Sequence, residues 1–164
     1  ASLIGVALPS TGGNTIPQVR GPIARPDPGK TPGAIAVHDV SAVCRLPRHI
    51  HNRIPVPEQK AVFNAYGLQY PGMTSKYALD YLVPIPLGGA PVAANLWPAE
   101  SQKGVGFHQK EQLNAKLRVM VCEGRIPLAT VQQQIVTDWY SLWYQYVANP
   151  ASTDPPSAPS GLGG

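Results

Sequence analysis

Proline and glycine limit where this chain can form regular structure. Its 164 residues include 19 prolines and 16 glycines, which crowd residues 9–13 and 22–33 in particular. Because proline fixes φ and lacks a backbone donor, and glycine is conformationally permissive, helices and strands are expected between such clusters. We therefore predict a Pro/Gly-rich N-terminal arm (1–43), a folded domain (44–148) and a C-terminal tail (149–164).

The arm and the tail differ in their apolar content. The tail is rich in Pro, Ser and Gly and has no apolar pattern, so its composition predicts disorder. The arm contains two short apolar patches, residues 3–8 and 34–37. Each patch is expected either to add an edge strand or to pack on the domain.

The first half of the domain alternates between helical and extended patterns. Residues 57–66 predict a short helix, since a proline suits its first turn and a glycine follows its end. Residues 76–83 predict a strand. A second extended segment, residues 93–97, is expected to end at Pro98.

Two longer helices complete the domain. Residues 107–122 carry an apolar side, and Gly124 lies just beyond the end. The clearest periodicity follows, with large apolar side chains at steps of three and four: Leu128, Val131, Ile135, Trp139, Leu142 and Tyr146. Together with the two extended segments, these helices predict an α+β fold.

Charge is sparse and slightly basic. Charged residues make up 13% of the chain, hydrophobic residues 43%, and the formal net charge is +4. Residues 44–147 hold ten Lys or Arg and six Asp or Glu, so the whole excess lies in the domain. A phosphate-bearing partner is compatible with this balance but is not required by it. No apolar run approaches the length needed to cross a bilayer.

The two cysteines, Cys44 and Cys122, leave two alternatives open. An even count in an exported protein favours a disulfide, whereas two buried free thiols would look the same in the sequence. The chain begins at Ala1 rather than at a methionine. A processed N-terminus, as in a secreted or cell-envelope protein, is the simplest interpretation, although a shortened chain would begin in the same way.

Residues 77–124 contain short sequence motifs in addition to their helical and extended patterns. Residues 77–89 read Tyr-Ala-Leu-Asp-Tyr-Leu-Val-Pro-Ile-Pro-Leu-Gly-Gly, and residues 95–98 read Asn-Leu-Trp-Pro. Lys-Glu follows at 110–111 and Val-Cys-Glu-Gly at 121–124. In this order, the elements resemble the HNH endonucleases, in particular a secreted bacterial branch.

The resemblance implies a fold and a reaction. The fold would be the ββα-metal framework, a hairpin packed across a helix, with Cys44 and Cys122 joined in a disulfide. The reaction would be hydrolysis of DNA phosphodiesters, which needs a general base and a divalent cation, here Mg²⁺ or Mn²⁺.

The resemblance also implies a set of site residues. Asp80 would be the metal-binding acid, and Asn95 would brace the catalytic base or join the metal shell. His108 and Glu111, in the first turns of the predicted 107–122 helix, are the remaining candidate metal ligands. On a helical wheel, however, both fall opposite the apolar side and towards solvent.

Tyr81 stands where the family has its catalytic histidine. A tyrosine titrates near pH 10, so only about one molecule in a thousand carries the phenolate at neutral pH. The helix departs from the family as well, with Glu111 in place of an aspartate and Asn114 in place of a frequent glutamate. The first change keeps a carboxylate, and the second removes a charge.

Other histidines and acids have simpler explanations. His49 and His51 could ligate a metal or replace the base, but a basic, solvated strand is the simpler interpretation. Asp80 lies beside two tyrosines and could merely accept a hydroxyl hydrogen bond.

Three functions are compatible with these residues. They are an active metal-dependent endonuclease, a pseudo-nuclease with weak DNA binding, and an exported module whose Pro-rich arms contact a protein partner. Because Tyr81 removes the general base, we predict a degenerate HNH-nuclease-like secreted protein, impaired or inactive in DNA cleavage and retained as a binding module. The active endonuclease is the alternative. No oligomeric state is predicted.

Overall fold

The computed structural model describes residues 21–49 and 53–149. This part of the chain forms a mixture of helices and one two-stranded sheet: α1 (Val40–Arg45), α2 (Val56–Ala65), β1 (Tyr77–Tyr81), β2 (Leu96–Glu100), α3 (Phe107–Cys122) and α4 (Leu128–Trp143). A π-helical turn, Tyr144–Ala148, extends α4. The α+β class predicted from the sequence is confirmed.

β1 and β2 form an antiparallel hairpin in which Asp80 lies opposite Trp97. β1 lies within the predicted segment 76–83. β2 overlaps the predicted segment 93–97 only at Leu96 and Trp97, because residues 93–95 form a 3₁₀ turn. The prediction that the second segment ends at Pro98 was wrong, because β2 runs through Pro98 to Glu100.

Pro98 is tolerated inside β2 because its position needs no donor. Leu82 donates its backbone N–H to the carbonyl of Asn95, which makes these two a hydrogen-bonded pair at the end of the ladder. Since bonded and non-bonded pairs alternate, the Leu79–Pro98 pair is a non-bonded one. The ring nitrogen of Pro98 therefore points away from β1, as is usual for proline in an edge strand.

The three longer helices follow the sequence patterns closely, whereas α1 lies where no helix was predicted. α3 has the predicted bounds, and α2 begins and ends one residue before its predicted bounds. The predicted apolar stripe of α4 and the turn after it is buried throughout: Leu128, Val131, Ile135, Trp139, Leu142 and Tyr146. The rings of Trp97 and Trp139 lie 6.3 Å apart between centroids, so α4 and the hairpin share one core.

α4 is interrupted at Asp138, whose backbone leaves the helical region (φ −159°, ψ 83°). The Asp138 carboxylate accepts hydrogen bonds from the backbone N–H and the hydroxyl of Ser141, at 3.3 and 2.6 Å. This arrangement is that of a helix N-cap, so Asp138 caps the last turns of α4 as if they were a separate helix. Arg25 donates to the same carboxylate at 2.9 Å.

The described part of the arm packs on the domain. Thr31 is 1% exposed, and its hydroxyl donates to the carbonyl of Leu96 at 2.9 Å and lies 2.6 Å from the hydroxyl of Tyr66. Ile35, within the apolar patch 34–37, forms a β-bridge with Gly89. α1 spans the expected boundary between residues 43 and 44. The patch 3–8 and residues 150–164 of the expected tail lie outside the described residues.

A disulfide joins Cys44 of α1 to Cys122 at the end of α3, as the resemblance implied. Beside it, the guanidinium of Arg118 donates to the carbonyls of Val43, Cys44 and Leu46 at 2.6, 3.2 and 2.8 Å. These carbonyls lie at the end of α1, where a helix leaves its last acceptors unpaired. The disulfide and Arg118 together therefore hold α1 against α3.

Disulfides persist in oxidising compartments, so the cross-link is compatible with a secreted protein. No helix in the described part of the chain is both long enough and apolar enough to cross a membrane.

Candidate functional site

Asp80, Trp97 and Lys110 meet where the hairpin contacts the first turns of α3. Asp80 is the buried residue of β1, with 5% of its surface exposed. The indole N–H of Trp97, its cross-strand partner, donates to Asp80 Oδ2 at 2.8 Å. The carboxyl of Asp80 therefore points into the protein interior, towards α3.

Lys110 of α3 meets this carboxyl and is itself fully buried, at 0% exposure. Its Nζ lies 3.1 Å from Asp80 Oδ2, 2.8 Å from Asn114 Oδ1 and 3.3 Å from the carbonyl oxygen of Tyr81. An ammonium group has three donors, and these three oxygens can accept all of them. The pair links the hairpin to α3 through a polar contact inside an apolar core.

Burial favours the neutral forms of both Asp80 and Lys110. Desolvation raises the pKa of Asp80 above its ordinary value, and the attraction of Lys110 opposes that rise. Desolvation likewise lowers the pKa of Lys110, against the attraction of Asp80. Because each charge is stabilised mainly by the other, removal of either partner leaves a buried charge without compensation.

Tyr81 ends β1 and is half-buried beside this pair. Burial raises the pKa of its phenol, and the negative charge of Glu58 raises it further. At neutral pH the basic phenolate form is therefore even rarer than in an exposed tyrosine. Its backbone carbonyl, not its side chain, contacts Lys110.

Asn95 is fully buried, and its side-chain amide binds backbone groups of the segment that connects β1 to β2. Its Oδ1 accepts from the backbone N–H of Val83 at 2.9 Å, and more weakly from that of Ala34 at 3.4 Å. Its Nδ2 donates to the carbonyls of Val83 and Ala90, at 2.9 and 3.0 Å. The amide is thus saturated by backbone groups of the loop and the arm.

His108 and Glu111 lie on the exposed face of α3, as their helical spacing predicts. His108 makes an edge contact with the ring of Phe107, 5.5 Å between centroids. His49 is exposed on the loop after α1, and His51 lies outside the described residues. The structure therefore does not bring His108 and Glu111 to the carboxyl of Asp80.

The residues expected to hold Mg²⁺ or Mn²⁺ do not fit such an ion. A hard cation needs about six oxygen ligands, of which the protein supplies several. Here Asp80 Oδ2 already accepts two donors, Asn95 is committed to backbone groups, and Glu111 faces solvent. Among residues 21–49 and 53–149, no three His, Cys, Asp or Glu side chains cluster as a metal site would require.

Lys110 and Trp97 are the partners of Asp80 that the sequence prediction missed. Lys110 appears in the sequence only as part of the Lys-Glu dipeptide of the motif. Its spacing would have revealed its burial, because it precedes Leu113 by three residues and Leu117 by seven and so lies on the apolar side of α3. A lysine on the buried side of a helix indicates a buried acid nearby.

Comparison with known proteins leaves the chain without an assigned relative. No protein-family model, curated protein or solved structure matches it. The class that the fold and the site define is an α+β protein with a disulfide and a buried Asp–Lys pair between a hairpin and a helix.

Proposed function

We propose that this chain is a degenerate HNH-nuclease-like secreted protein that does not cut DNA efficiently and acts as a binding module for a polyanion such as DNA. The motif of residues 77–98 and the order hairpin, then helix, support a ββα ancestry. The chemistry of the site supports the loss of cleavage.

The contact between Asp80 and Lys110 carries this proposal. A nuclease of this class needs the acid before the base position to hold a divalent cation. Here the nitrogen of Lys110 lies 3.1 Å from Asp80 Oδ2, inside the core, where a cation would have to sit. An ion that bound Asp80 would have to displace a fully buried side chain.

Tyr81 supports the same conclusion independently. Phosphodiester hydrolysis needs a base that is unprotonated near neutral pH, and burial moves the pKa of Tyr81 in the wrong direction for that task. The Asn95 amide, which would brace such a base, is held instead by Val83 and Ala90.

The basic segment that begins at the end of α1 supports a polyanionic partner. Arg45, Arg48, His49 and Arg53 are all exposed, and the segment contains no acid. Burial lowers the pKa of Arg118, and the charge of Arg48 lowers it further, which indicates that the two guanidinium groups lie near each other on this side. Clustered Arg side chains bind phosphates with little sequence preference.

A plasmid-nicking assay tests the loss of cleavage. Supercoiled DNA incubated with the wild-type chain and Mg²⁺ or Mn²⁺ should remain intact, and Tyr81→His alone should leave it intact because Asp80 stays paired with Lys110. Nicking by the wild-type chain that EDTA abolishes would overturn the proposal in favour of an active endonuclease.

A gel-shift series tests the binding role. The wild-type chain should retard duplex DNA at low salt, with a steep loss of affinity as salt rises. The double variant Arg45→Ala/Arg48→Ala should weaken binding, whereas Lys76→Ala/Lys103→Ala, which removes the same charge elsewhere, should weaken it much less. Equal loss in both variants would show a response to net charge alone, and no retardation at any salt would reject DNA as the partner.

A further inference from the structure

Three groups that can react with one another meet at the buried end of Lys110. Its Nζ lies 2.8 Å from the amide oxygen of Asn114 and 3.1 Å from Asp80 Oδ2. We propose that Lys110 and Asn114 condense into an isopeptide bond, with Asp80 as the group that carries the proton. This modification does not depend on the proposed function.

The helix positions the nucleophile and the acceptor. Lys110 and Asn114 are four residues apart on α3, so their side chains project from the same face one turn apart. The contact between Nζ and Oδ1 lies in the hydrogen-bonding direction. Cγ is the atom bonded to Oδ1, so a rotation about the Cβ–Cγ bond of Asn114 would turn the face of Cγ towards Nζ, the orientation that attack requires.

The third member of the group is Asp80. Its carboxyl contacts Lys110. Burial raises the pKa of this carboxyl, and Lys110, Trp97 and Asn114 act in the opposite direction. Asp80 Oδ2 and the amide of Asn114 therefore contact the same nitrogen, so one acid lies beside both the attacking group and the amide that would lose ammonia. That is the placement required of a single group that takes a proton from one and gives it to the other.

Exclusion of water makes the amine reactive. Lys110 is 0% exposed and Asp80 is 5% exposed. Desolvation lowers the pKa of Lys110 and raises that of Asp80, which favours transfer of a proton from the ammonium to the carboxylate. A desolvated neutral lysine is a nucleophile, whereas a solvated ammonium is not.

The reaction balances without an external reagent. The ammonium of Lys110 gives one proton to Asp80, and the lone pair on Nζ attacks Cγ of Asn114 while the carbonyl π electrons move to Oδ1. Asp80 then protonates Nδ2 and accepts the proton lost by Nζ. The Cγ–Nδ2 bond breaks, its electron pair leaves with ammonia, and the carbonyl re-forms. The products are one secondary amide and one ammonia molecule.

The bond would convert a polar contact into a covalent brace. The linked nitrogen keeps one N–H, which can still donate to Asp80, so the contact between α3 and β1 is retained. The neutral amide no longer has an ammonium charge to stabilise inside the core, which removes the desolvation cost of Lys110.

Mass spectrometry of the full chain tests the proposal. The intact wild-type protein, with its disulfide reduced, should be lighter than the sequence mass by about 17 Da, the mass of one ammonia. Trypsin should cleave after Lys103 and Lys116 but not after Lys110, and the peptide 104–116 should carry the whole deficit.

The variant Asn114→Ala removes the acceptor and keeps Lys110 and Asp80. Because Asn114 is only half-buried, this variant should fold; it should have its full sequence mass and be cleaved after Lys110 once denatured. Asn64→Ala, the same change at an exposed helical asparagine, should retain the deficit. Asp80→Asn should lower the linked fraction.

Three results would overturn the proposal. One is a wild-type chain with its full sequence mass. Another is a deficit of about 18 Da, one water, with a link between Lys110 and Asp80, which would reject Asn114 as the acceptor. The third is ammonia loss with normal cleavage after Lys110, which would indicate a succinimide at Asn114 and no cross-link.

Discussion

The side-chain nitrogen of Lys110 lies 3.1 Å from Asp80 Oδ2, and both side chains are buried between β1 and α3. This contact joins the hairpin to the helix with a polar pair where most contacts are apolar. Its energetic consequences are large because the surroundings exclude water.

Replacement of Lys110 by methionine should destabilise the fold by about 3–5 kcal/mol, since it leaves the carboxyl of Asp80 buried without its partner. Urea unfolding monitored by tryptophan fluorescence measures the loss. Because burial raises the pKa of Asp80, the lone carboxyl should bind a proton more readily as the pH falls, and the variant should recover part of its stability on acidification.

Two controls test this prediction: a lysine variant elsewhere on α3, and a double variant that changes both Lys110 and Asp80. Lys116→Met changes an exposed lysine of α3 and should shift stability by less than about 0.5 kcal/mol. The double variant Lys110→Met/Asp80→Asn removes both charges and should be more stable than Lys110→Met alone. A double variant as unstable as the single one would show that the charge of Asp80 is not the cause.

Asn95→Ala should unfold the connection between the strands, because it leaves buried backbone groups of Val83 and Ala90 without partners. Each such group costs about 1–3 kcal/mol, so a loss of about 3 kcal/mol or more is expected. Thermal unfolding measures it, and Asn64→Ala at an exposed site should be close to neutral. A variant as stable as the wild type would mean that Asn95 is free for another role.

Removal of the disulfide should destabilise the protein substantially. Cys44 and Cys122 are 78 residues apart, and closing a loop of that length is worth about 4.5 kcal/mol in the chain-entropy model. The double variant Cys44→Ser/Cys122→Ser should therefore unfold at much lower urea concentration than the oxidised wild type. Reduction of the wild type should give a similar shift, and no shift on reduction would contradict the prediction.

Asp138 should make stability depend on pH. Burial alone would raise its pKa, but the hydrogen bonds from Ser141 and Arg25 outweigh burial and lower the pKa below the ordinary value. A carboxyl whose pKa is lower in the folded than in the unfolded state stabilises the fold at pH values above its unfolded-state pKa. That stabilisation is lost as the pH falls through the folded-state pKa. Since the side chain is 40% exposed, the contribution should be below about 1 kcal/mol.

Comparison of the wild type with Asp138→Asn at pH 7 and pH 3 tests whether the stabilisation by Asp138 is lost on acidification. The asparagine keeps an acceptor for Ser141 but loses the ion pair with Arg25, so the wild type should be more stable at pH 7 and the difference should shrink at pH 3. Glu111→Gln, at an exposed site, should differ little from the wild type at either pH. A difference that grows on acidification would contradict the prediction for Asp138.

Local patterns in the sequence were sufficient to predict α2, α3, α4, the position of β1 and the α+β class, but they did not predict α1. The stripe from Leu128 to Tyr146 and the wheel position of Glu111 depend only on residue spacing, which is a property of neighbouring residues. The extension of β2 through Pro98 could not be predicted in this way, because it depends on which pairs of the ladder are hydrogen-bonded.

Only the tertiary structure decided what the motif residues do. Asp80 and Asn95 were identified as site residues from the order of the motif, but the partners of Asp80 come from β2 and from α3, and those of Asn95 include the arm. Whether a buried carboxyl meets a metal ion or a lysine depends on how a hairpin packs on a helix. Spacing along one element can predict which side is buried, whereas the chemistry between elements depends on contacts between residues far apart in the chain.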